Sequence, residues 1–185
     1  MLTETQLRQI MPNLPAAKAS LLLPHLTRAM ADYGINTMRR AAAFLAQLAH
    51  ESGEFRWMEE IWGPTAAQRR YEPLSDLATR LGNTAAGDGR RFKGRGPIQL
   101  TGRANYAEYG RALGREAELL EHPERVADEI ELCIDVAAWF WSRNELNALA
   151  EKDDLTGITR RINGGLNGLE DRRRLLKRSK ALLGI

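Results

Sequence analysis

Cysteine and histidine are scarce in this chain. Cys133 is the only cysteine among 185 residues, so no intramolecular disulfide can form and the fold must rest on packing. The three histidines lie far apart in the sequence. A zinc-protease motif beginning at His50-Glu51 is excluded, because Glu54 stands where its second histidine belongs. We therefore expect neither a metal nor another cofactor.

Long apolar runs are also missing. The leucine cluster at residues 21–23 is too short for a signal-peptide core or a membrane span. We therefore expect the protein to be made without a signal peptide, in the cytoplasm of the cell that produces it. Neither a repeat nor a low-complexity linker divides the sequence, which predicts a single domain over residues 1–185. Basic residues exceed acidic ones by 27 to 24, and this net charge of +3 favours polyanions without naming one.

What the sequence does contain is helical periodicity. Apolar residues recur at three- and four-residue intervals over residues 16–31 and 37–50, which predicts two amphipathic helices. Residues 130–141 are apolar almost all round, as expected of a buried central helix, and a basic helix is predicted from Leu169. Residues 52–86 mix glycine, proline and aromatics and are predicted to be mostly loop. The chain is therefore predicted to be mainly α-helical.

One glutamate continues an apolar helix stripe. Ala41, Phe44, Leu48 and Glu51 follow one another at spacings of three, four and three, and Gly53 can end the helix. A carboxyl group at the end of such a stripe is partly desolvated, which disfavours its anion and suits a general acid. The alternative is a helix-end glutamate in solvent.

One reaction that uses a general acid is the hydrolysis of a glycosidic bond. When it proceeds with inversion, it also needs a second carboxylate on the other face of the sugar, with room for a water. The local candidates for that role are Glu54, Glu59, Glu60 and Glu72. The residues alone leave the choice among them open.

Four motifs stand in a fixed order along the chain: His50-Glu51-Ser52-Gly53, then Glu60, then residues 94–101 (GRGPIQLT), then Ile162-Asn163-Gly164-Gly165. In these residues the chain resembles the glycoside hydrolases of family 19, which include plant and bacterial chitinases and many phage endolysins. The resemblance implies a lysozyme-like helical fold of two lobes with a substrate groove between them.

The resemblance also implies roles for individual residues. Glu51 is expected to donate a proton to the glycosidic oxygen and Glu60 to activate the attacking water, with Glu59 as the main rival for the second role. Thr101 stands where family chitinases usually have a serine whose hydroxyl helps to hold that water. The substrate-binding residues implied in this way are Gln99, Thr101, Asn105, Tyr106, Asn163 and Arg172.

Arg172 is singled out independently by its position in the predicted C-terminal helix. It shares one face with Leu169, Leu176 and Leu183, so its guanidinium points where a leucine is expected. An inward guanidinium usually has a carboxylate partner. Since the family also has an arginine here, we predict that Arg172 pairs with Glu60 or supports its loop.

The predicted function is hydrolysis of peptidoglycan strands by a catalytic domain without a separate wall-binding domain, acting as a monomer. Plant chitinases of the family carry several disulfides, which this chain cannot form, so it looks closer to the endolysin branch. We expect it to reach the cell wall after release by another factor and to serve host-cell lysis. The alternatives are a chitinase acting on chitin oligosaccharides, or a basic nucleic-acid- or wall-binding protein.

The second alternative is motivated by Arg172-Arg173-Arg174 and the basic residues that follow. Such a charged run is most often a solvated helix face, and it also suits contact with an anionic cell envelope. We therefore expect no nucleic-acid partner.

Overall fold

The computed structural model describes residues 2–185, and within them the chain forms thirteen helices and two isolated antiparallel bridges. The predicted mainly helical fold is confirmed. In chain order the helices are α1 (Glu4–Ile10), α2 (Ala16–Asp32), α3 (Met38–Ser52), α4 (Ala66–Arg69), α5 (Asp76–Leu81), α6 (Asp88–Arg91), α7 (Arg103–Ala112), α8 (Glu116–Glu121), α9 (Arg125–Asp128), α10 (Ile130–Arg143), α11 (Leu146–Glu151), α12 (Leu155–Asn163) and α13 (Leu169–Leu183).

The helices form two compact units. The first comprises the chain up to Trp57 together with Ala137–Ile185, and the second is Met58–Val136, so the boundary falls within α10. None of the helices in residues 2–185 is long and apolar enough to cross a membrane. That the chain acts as one catalytic domain stays a prediction.

In the first unit, α3 packs along α13 and also contacts α11. Residues 41–49 of α3 are all buried and, apart from Gln47, all apolar. Phe44 meets the buried ring of Trp141 edge-on, with ring centroids 5.3 Å apart. The helix begins at the N-cap Thr37, whose hydroxyl accepts a hydrogen bond from the Arg40 N–H. Packing on several sides therefore fixes the helix that carries Glu51.

The backbone turns sharply after α3. Gly53 ends the helix at φ 58°, as predicted, and Glu54 and Phe55 continue in the left-handed region at φ 60° and 64°. Non-glycine residues pay a steric cost there. Three hydrogen bonds hold the turn: Asn13 N–H to Glu54 Oε2 (2.6 Å), Lys18 Nζ to the Phe55 carbonyl (2.6 Å), and Phe55 N–H to Ser52 Oγ (2.7 Å).

In the second unit, α7 packs against α5 and α8, and its Tyr106 and Tyr109 are buried. The two bridges join Glu59 to Arg95 and Arg95 to Leu100, so the loop at residues 94–101 is held against the segment that carries Glu60. The predicted loop over residues 52–86 contains two short helices, α4 and α5. Each is too short to produce a sustained period in the sequence.

Asp88 ties this second unit together. It is 2% exposed and accepts hydrogen bonds from the N–H groups of Thr84 and Ala85 and from the Arg103 guanidinium. Burial alone would raise the pKa of Asp88, but these hydrogen bonds outweigh it and lower the pKa to about 2. A depressed carboxyl pKa adds stability that is present above the unfolded-state pKa, near 4, and is lost as the pH falls towards 2.

We therefore expect Asp88→Asn to lower the free energy of unfolding by about 2 kcal/mol at neutral pH. The difference from the wild type should shrink as the pH falls from about 4 to about 2, and chemical denaturation over that range measures it. Asp76→Asn, at an exposed position in the same unit, is the control and should have little effect. A difference that stays constant with pH would contradict the assignment.

Candidate functional site

Glu51 lies in the last turn of α3 with 19% of its side chain exposed. Its Oε1 accepts a 2.5 Å hydrogen bond from Nη2 of Arg172, which is 2% exposed. The same guanidinium donates through Nη1 to Oε1 of Gln47, one turn earlier in α3, and more weakly through Nε to the Asn167 carbonyl at 3.4 Å. Within residues 2–185 no other side chain bonds the Glu51 carboxyl, so its Oε2 is available to a ligand.

The predicted pairing of Arg172 with Glu60 is wrong. The inward guanidinium does have a carboxylate partner, as its place among leucines indicated, but that partner is Glu51. The reason is the packing of α13 along α3, which sets Arg172 beside the last two turns of that helix. Arg172 is therefore attached to the candidate acid rather than to the candidate base.

Asn163 ends α12 and organises the turn that follows it. Its Oδ1 accepts from the Gly165 N–H at 2.8 Å, and its Nδ2 donates to the Asn167 carbonyl at 3.0 Å. That carbonyl also receives the Nε of Arg172. The exposed Asn163 is thus connected through Asn167 and Arg172 to Glu51, and its predicted role in substrate binding stays a prediction.

His50, beside Glu51, forms a further link between α3 and α13. Its Nδ1 lies 2.7 Å from Oδ2 of Asp171. Burial would raise the pKa of Asp171, but hydrogen bonds from His50 and Arg174 outweigh it and hold the pKa below its ordinary value. The two helices therefore meet through two polar pairs at the level of the candidate acid.

Glu60 is held by two neutral donors in the second unit. Oε1 accepts from Nε2 of Gln68 at 3.0 Å, and Oε2 accepts from the Gly94 N–H at 3.0 Å. The Glu60 N–H in turn donates to the Gly94 carbonyl at 2.8 Å. The Tyr71 phenol lies near the Glu60 carboxylate, and burial, followed by the charge of Glu60, raises the pKa of Tyr71. Glu60 is thereby fixed against the loop at residues 94–101.

Glu59, the rival candidate base, has different partners. Its Oε1 lies 2.8 Å from Nε of Arg95 and 3.3 Å from Nζ of Lys93. Arg95 is buried and also donates to the Tyr106 hydroxyl and to the Arg91 carbonyl. The contacts of Glu59 therefore indicate a structural ion pair that compensates a buried guanidinium, which favours Glu60 as the base.

Gly94 is surrounded by three of the predicted site residues. Its N–H binds Glu60, and a Cβ at this position would lie 2.4 Å from Oε1 of Gln99 and 3.2 Å from Oγ1 of Thr101. The Thr101 hydroxyl donates to the Gln99 carbonyl at 2.9 Å, and Nδ2 of Asn105 donates to the Thr101 carbonyl at 2.7 Å. Only glycine leaves room for this arrangement, which brings Glu60, Gln99, Thr101 and Asn105 together.

Tyr106, predicted to bind substrate, is instead a core residue. Its side chain has no exposed surface, and its hydroxyl donates to the Lys93 carbonyl at 2.8 Å and accepts from Arg95 at 3.0 Å. Burial raises the pKa of Tyr106 well above its ordinary value, so the phenol remains protonated. The prediction of direct sugar contact is corrected, because Tyr106 lies on the buried face of α7 and supports the loop from beneath.

The sequence interpretation missed three residues that lie beside the two candidate glutamates: Gln47, Gln68 and Tyr71. Gln47 could have been noticed as the one polar residue in an otherwise apolar helical stretch. Gln68 stands three residues after Thr65, which is the pattern of a helix capping box, and this local explanation conceals its contact with Glu60. In residues 2–185 no three His, Cys, Asp or Glu side chains come together as a metal site.

The chain is similar in sequence to known proteins. The family model for chitinase class I matches residues 21–167. The chain is 40% identical over 166 residues to a glycosyl hydrolase family 19 domain-containing protein of Haemophilus influenzae, covering 77% of this chain and 79% of that protein. It is 38% identical over 133 residues to an endochitinase of Arabidopsis thaliana, covering 71% of this chain but 42% of that protein.

Solved structures agree with this similarity. Chitinase C from Streptomyces griseus matches with a TM-score of 0.77 and 25% identity, covering 98% of this chain and 92% of that one. A class IV chitinase from Zea mays matches with a TM-score of 0.73 and 26% identity, covering 100% and 93%. The helical architecture is thus one that known glycan-cleaving enzymes share.

Proposed function

The chain belongs to glycoside hydrolase family 19, the chitinase class I family, and on that premise we propose that it hydrolyses β-1,4 bonds between aminosugars with inversion. The observation that carries the proposal is the pair of glutamates, each fixed by its own side-chain network. Inverting hydrolysis needs one carboxyl group as acid and another as base, and no cofactor takes part.

In this proposal Glu51 protonates the departing glycosidic oxygen. Arg172 occupies only Oε1, so Oε2 is the oxygen that carries and delivers the proton. Gln47 and Asn167 bind the other edges of the guanidinium and prevent it from turning. Because proton transfer depends on geometry, this fixed orientation supports Glu51 as the acid.

Glu60 takes a proton from the attacking water. Thr101 uses its own proton to bind the Gln99 carbonyl, so the lone pairs of its hydroxyl remain to accept a hydrogen bond from that water. Threonine can thus replace the serine usual in the family's chitinases. The amides of Gln99 and Asn105, both partly exposed, can bind sugar hydroxyl and acetamide groups.

Peptidoglycan is the substrate that we propose, and a basic cavity supports it. The cavity has a volume of about 500 Å³ and is lined by Gly87, Arg90, Arg91, Lys93, Arg95, Glu121, Pro123 and Glu124. Its four cations outnumber its two acids, although Lys93 and Arg95 pair with Glu59, and Arg91 donates to the carbonyls of Leu120 and Glu121. Peptidoglycan carries carboxylates that such a surface attracts, whereas chitin is neutral.

Lysis of a host cell wall, after release of the enzyme from the cytoplasm by another factor, belongs to the same proposal. Contact between the basic helix α13 and an anionic envelope receives less support, because several of its cations have acidic partners. These pairs are Arg173 with Glu170, Arg174 with Asp171, and Lys180 with Asp153. The same neutralisation argues against a nucleic-acid-binding role.

Chitin hydrolysis is the second candidate. The plant relatives and the solved structures that the chain resembles are described as chitinases and endochitinases. Chitin is a polymer of β-1,4-linked N-acetylated aminosugars, and peptidoglycan strands also contain such units.

We expect the purified protein to release reducing glycan fragments from peptidoglycan, and more slowly from neutral chitin oligosaccharides. Mass spectrometry of borohydride-reduced products identifies the bond, since the reduced end sugar names it. Proton NMR of soluble products early in the reaction should show the α-anomer, as inversion at a β-linkage requires. Products that first appear as the β-anomer would refute the inverting mechanism, and chitin cleavage without peptidoglycan cleavage would make the second candidate correct.

A further inference from the structure

Gln68 is a buried amide that uses all of its hydrogen-bonding capacity. It is 4% exposed and lies in the short helix α4. Its Nε2 donates to Glu60 Oε1 at 3.0 Å and to the Ile61 carbonyl at 2.8 Å. Its Oε1 accepts from the N–H groups of Gly63 (3.1 Å) and Thr65 (2.8 Å). Two donors and two acceptors are thus matched with four partners.

These four partners determine which way the amide points. If the amide were turned over, its oxygen would face the Glu60 carboxylate and the Ile61 carbonyl, and its N–H groups would face two backbone donors. All four contacts would then be unfavourable, and a buried unpaired polar group is costly. An N–H is therefore directed at Glu60 by the backbone of residues 61–65.

The Gly94 N–H is a second neutral donor to the same carboxylate, at 3.0 Å from Oε2, and the Tyr71 phenol lies nearby. Burial, followed by the negative charge of Glu60, raises the pKa of Tyr71, so the phenol keeps its proton. In the described part of the chain no lysine or arginine pairs with Glu60, since the nearby Lys93 and Arg95 bind Glu59. The charge of Glu60 also contributes to raising the pKa of the buried Tyr106, after burial itself.

We propose that Gln68 is a positioning residue for the hydrolytic reaction: with the Gly94 N–H it holds the Glu60 carboxylate in one orientation, so that an open lone pair faces the attacking water. The inference rests on the proposed role of Glu60 as the base. The physical reason is that neutral donors fix the Glu60 carboxylate without placing a full positive charge beside it. A cation at this place would weaken the attraction of the carboxylate for the proton of the water.

Gln68→Glu tests this with almost no change in shape. The substitution replaces the donating N–H by a carboxylate oxygen facing Glu60, and two carboxylates at hydrogen-bonding distance retain a proton between them. The acid limb of the pH profile of kcat should therefore move to higher pH by about 1 to 2 units. Below both acid limbs kcat should fall about 10- to 100-fold, in line with that displacement, whereas near neutral pH it should change little; KM should stay within about twofold of the wild type.

Asn83→Asp is the matched control. Asn83 is also 4% exposed, lies in the same unit, and donates through Nδ2 to the Tyr71 carbonyl while its Oδ1 accepts from the Arg103 N–H. Its replacement puts a new acid at a buried amide site that has no contact with Glu60. We expect a similar loss of thermal stability in both variants, but the shifted acid limb only in Gln68→Glu.

Tyr71→Phe provides a second variant if Gln68→Glu does not fold. It removes a polar hydroxyl near Glu60 without adding charge, so the acid limb should move in the same direction by a smaller amount. An unshifted acid limb in both variants, with kcat reduced equally at every pH, would overturn the positioning role. Glu60→Gln tests the proposed base separately. If that variant remains active, Glu60 is not the base. If it is inactive while the acid limbs of the other two variants are unshifted, the role of Glu60 stands and only the role of Gln68 is refuted.

Discussion

Glu51→Gln is expected to lower kcat/KM on peptidoglycan fragments by about a thousandfold or more, because it removes the proton that the leaving group needs. The glutamine keeps a carbonyl oxygen that can accept from Arg172, so the contact between α3 and α13 is preserved. We expect the loss to fall on kcat, with KM little changed, since the acid acts in the transition state. Initial rates from reducing-end release measure both constants.

Glu170→Gln is the matched control for this prediction. Glu170 is exposed at the beginning of α13, in the same unit, and forms only a surface ion pair with Arg173. Its replacement should leave the rate within about twofold, because surface ion pairs contribute little. Substantial activity in Glu51→Gln, with normal stability, would remove Glu51 from the role of acid.

Arg172→Ala should lower the free energy of unfolding by about 3 kcal/mol. It leaves the Glu51 carboxyl and the buried Gln47 without their partner and creates a cavity between α3 and α13. For a chain of this length the Tm should fall by roughly 10 °C. Activity should fall as well, since the acid loses its fixed orientation. Calorimetry and initial rates on the same preparation measure the two effects.

A double-mutant cycle distinguishes lost pairing from lost packing. In a Glu51→Gln background, Arg172→Ala should cost clearly less stability, because a neutral amide is easier to leave unpaired than a carboxylate. Arg173→Ala, next to it on α13 with a side chain 56% exposed, should change stability by less than about 0.5 kcal/mol. Equal costs of Arg172→Ala in both backgrounds would show that the ion pair contributes nothing.

The sequence predicts best what depends on neighbours along the chain. Glu51 could be found because three- and four-residue spacings express the geometry of one helix, and Gly53 because a helix end favours left-handed backbone. The inward guanidinium of Arg172 was predictable for the same reason. Its partner was not, because the choice between Glu51 and Glu60 depends on how α13 packs, which no local spacing records.

The family resemblance also misassigned one side chain. It implied a sugar contact for Tyr106, yet this buried tyrosine is hydrogen-bonded to the Lys93 carbonyl and the Arg95 guanidinium. Gln68 shows the opposite error, since its helix-capping pattern hides a contact with a residue eight positions earlier. Polar groups that serve other polar groups leave little trace in a hydrophobic pattern, so their roles emerge only from tertiary contacts.

The first unit is assembled from two stretches of chain, whereas the second is one uninterrupted stretch. Glu51 and Arg172 are 121 positions apart, so the ribosome releases the acid long before its guanidinium partner. The second unit, Met58–Val136, is fully synthesised before the first unit is, so it can fold while synthesis continues. We expect the Glu51 site to form last, when α13 packs against α3, so a nascent chain lacks the contact that orients its acid until α13 has been synthesised.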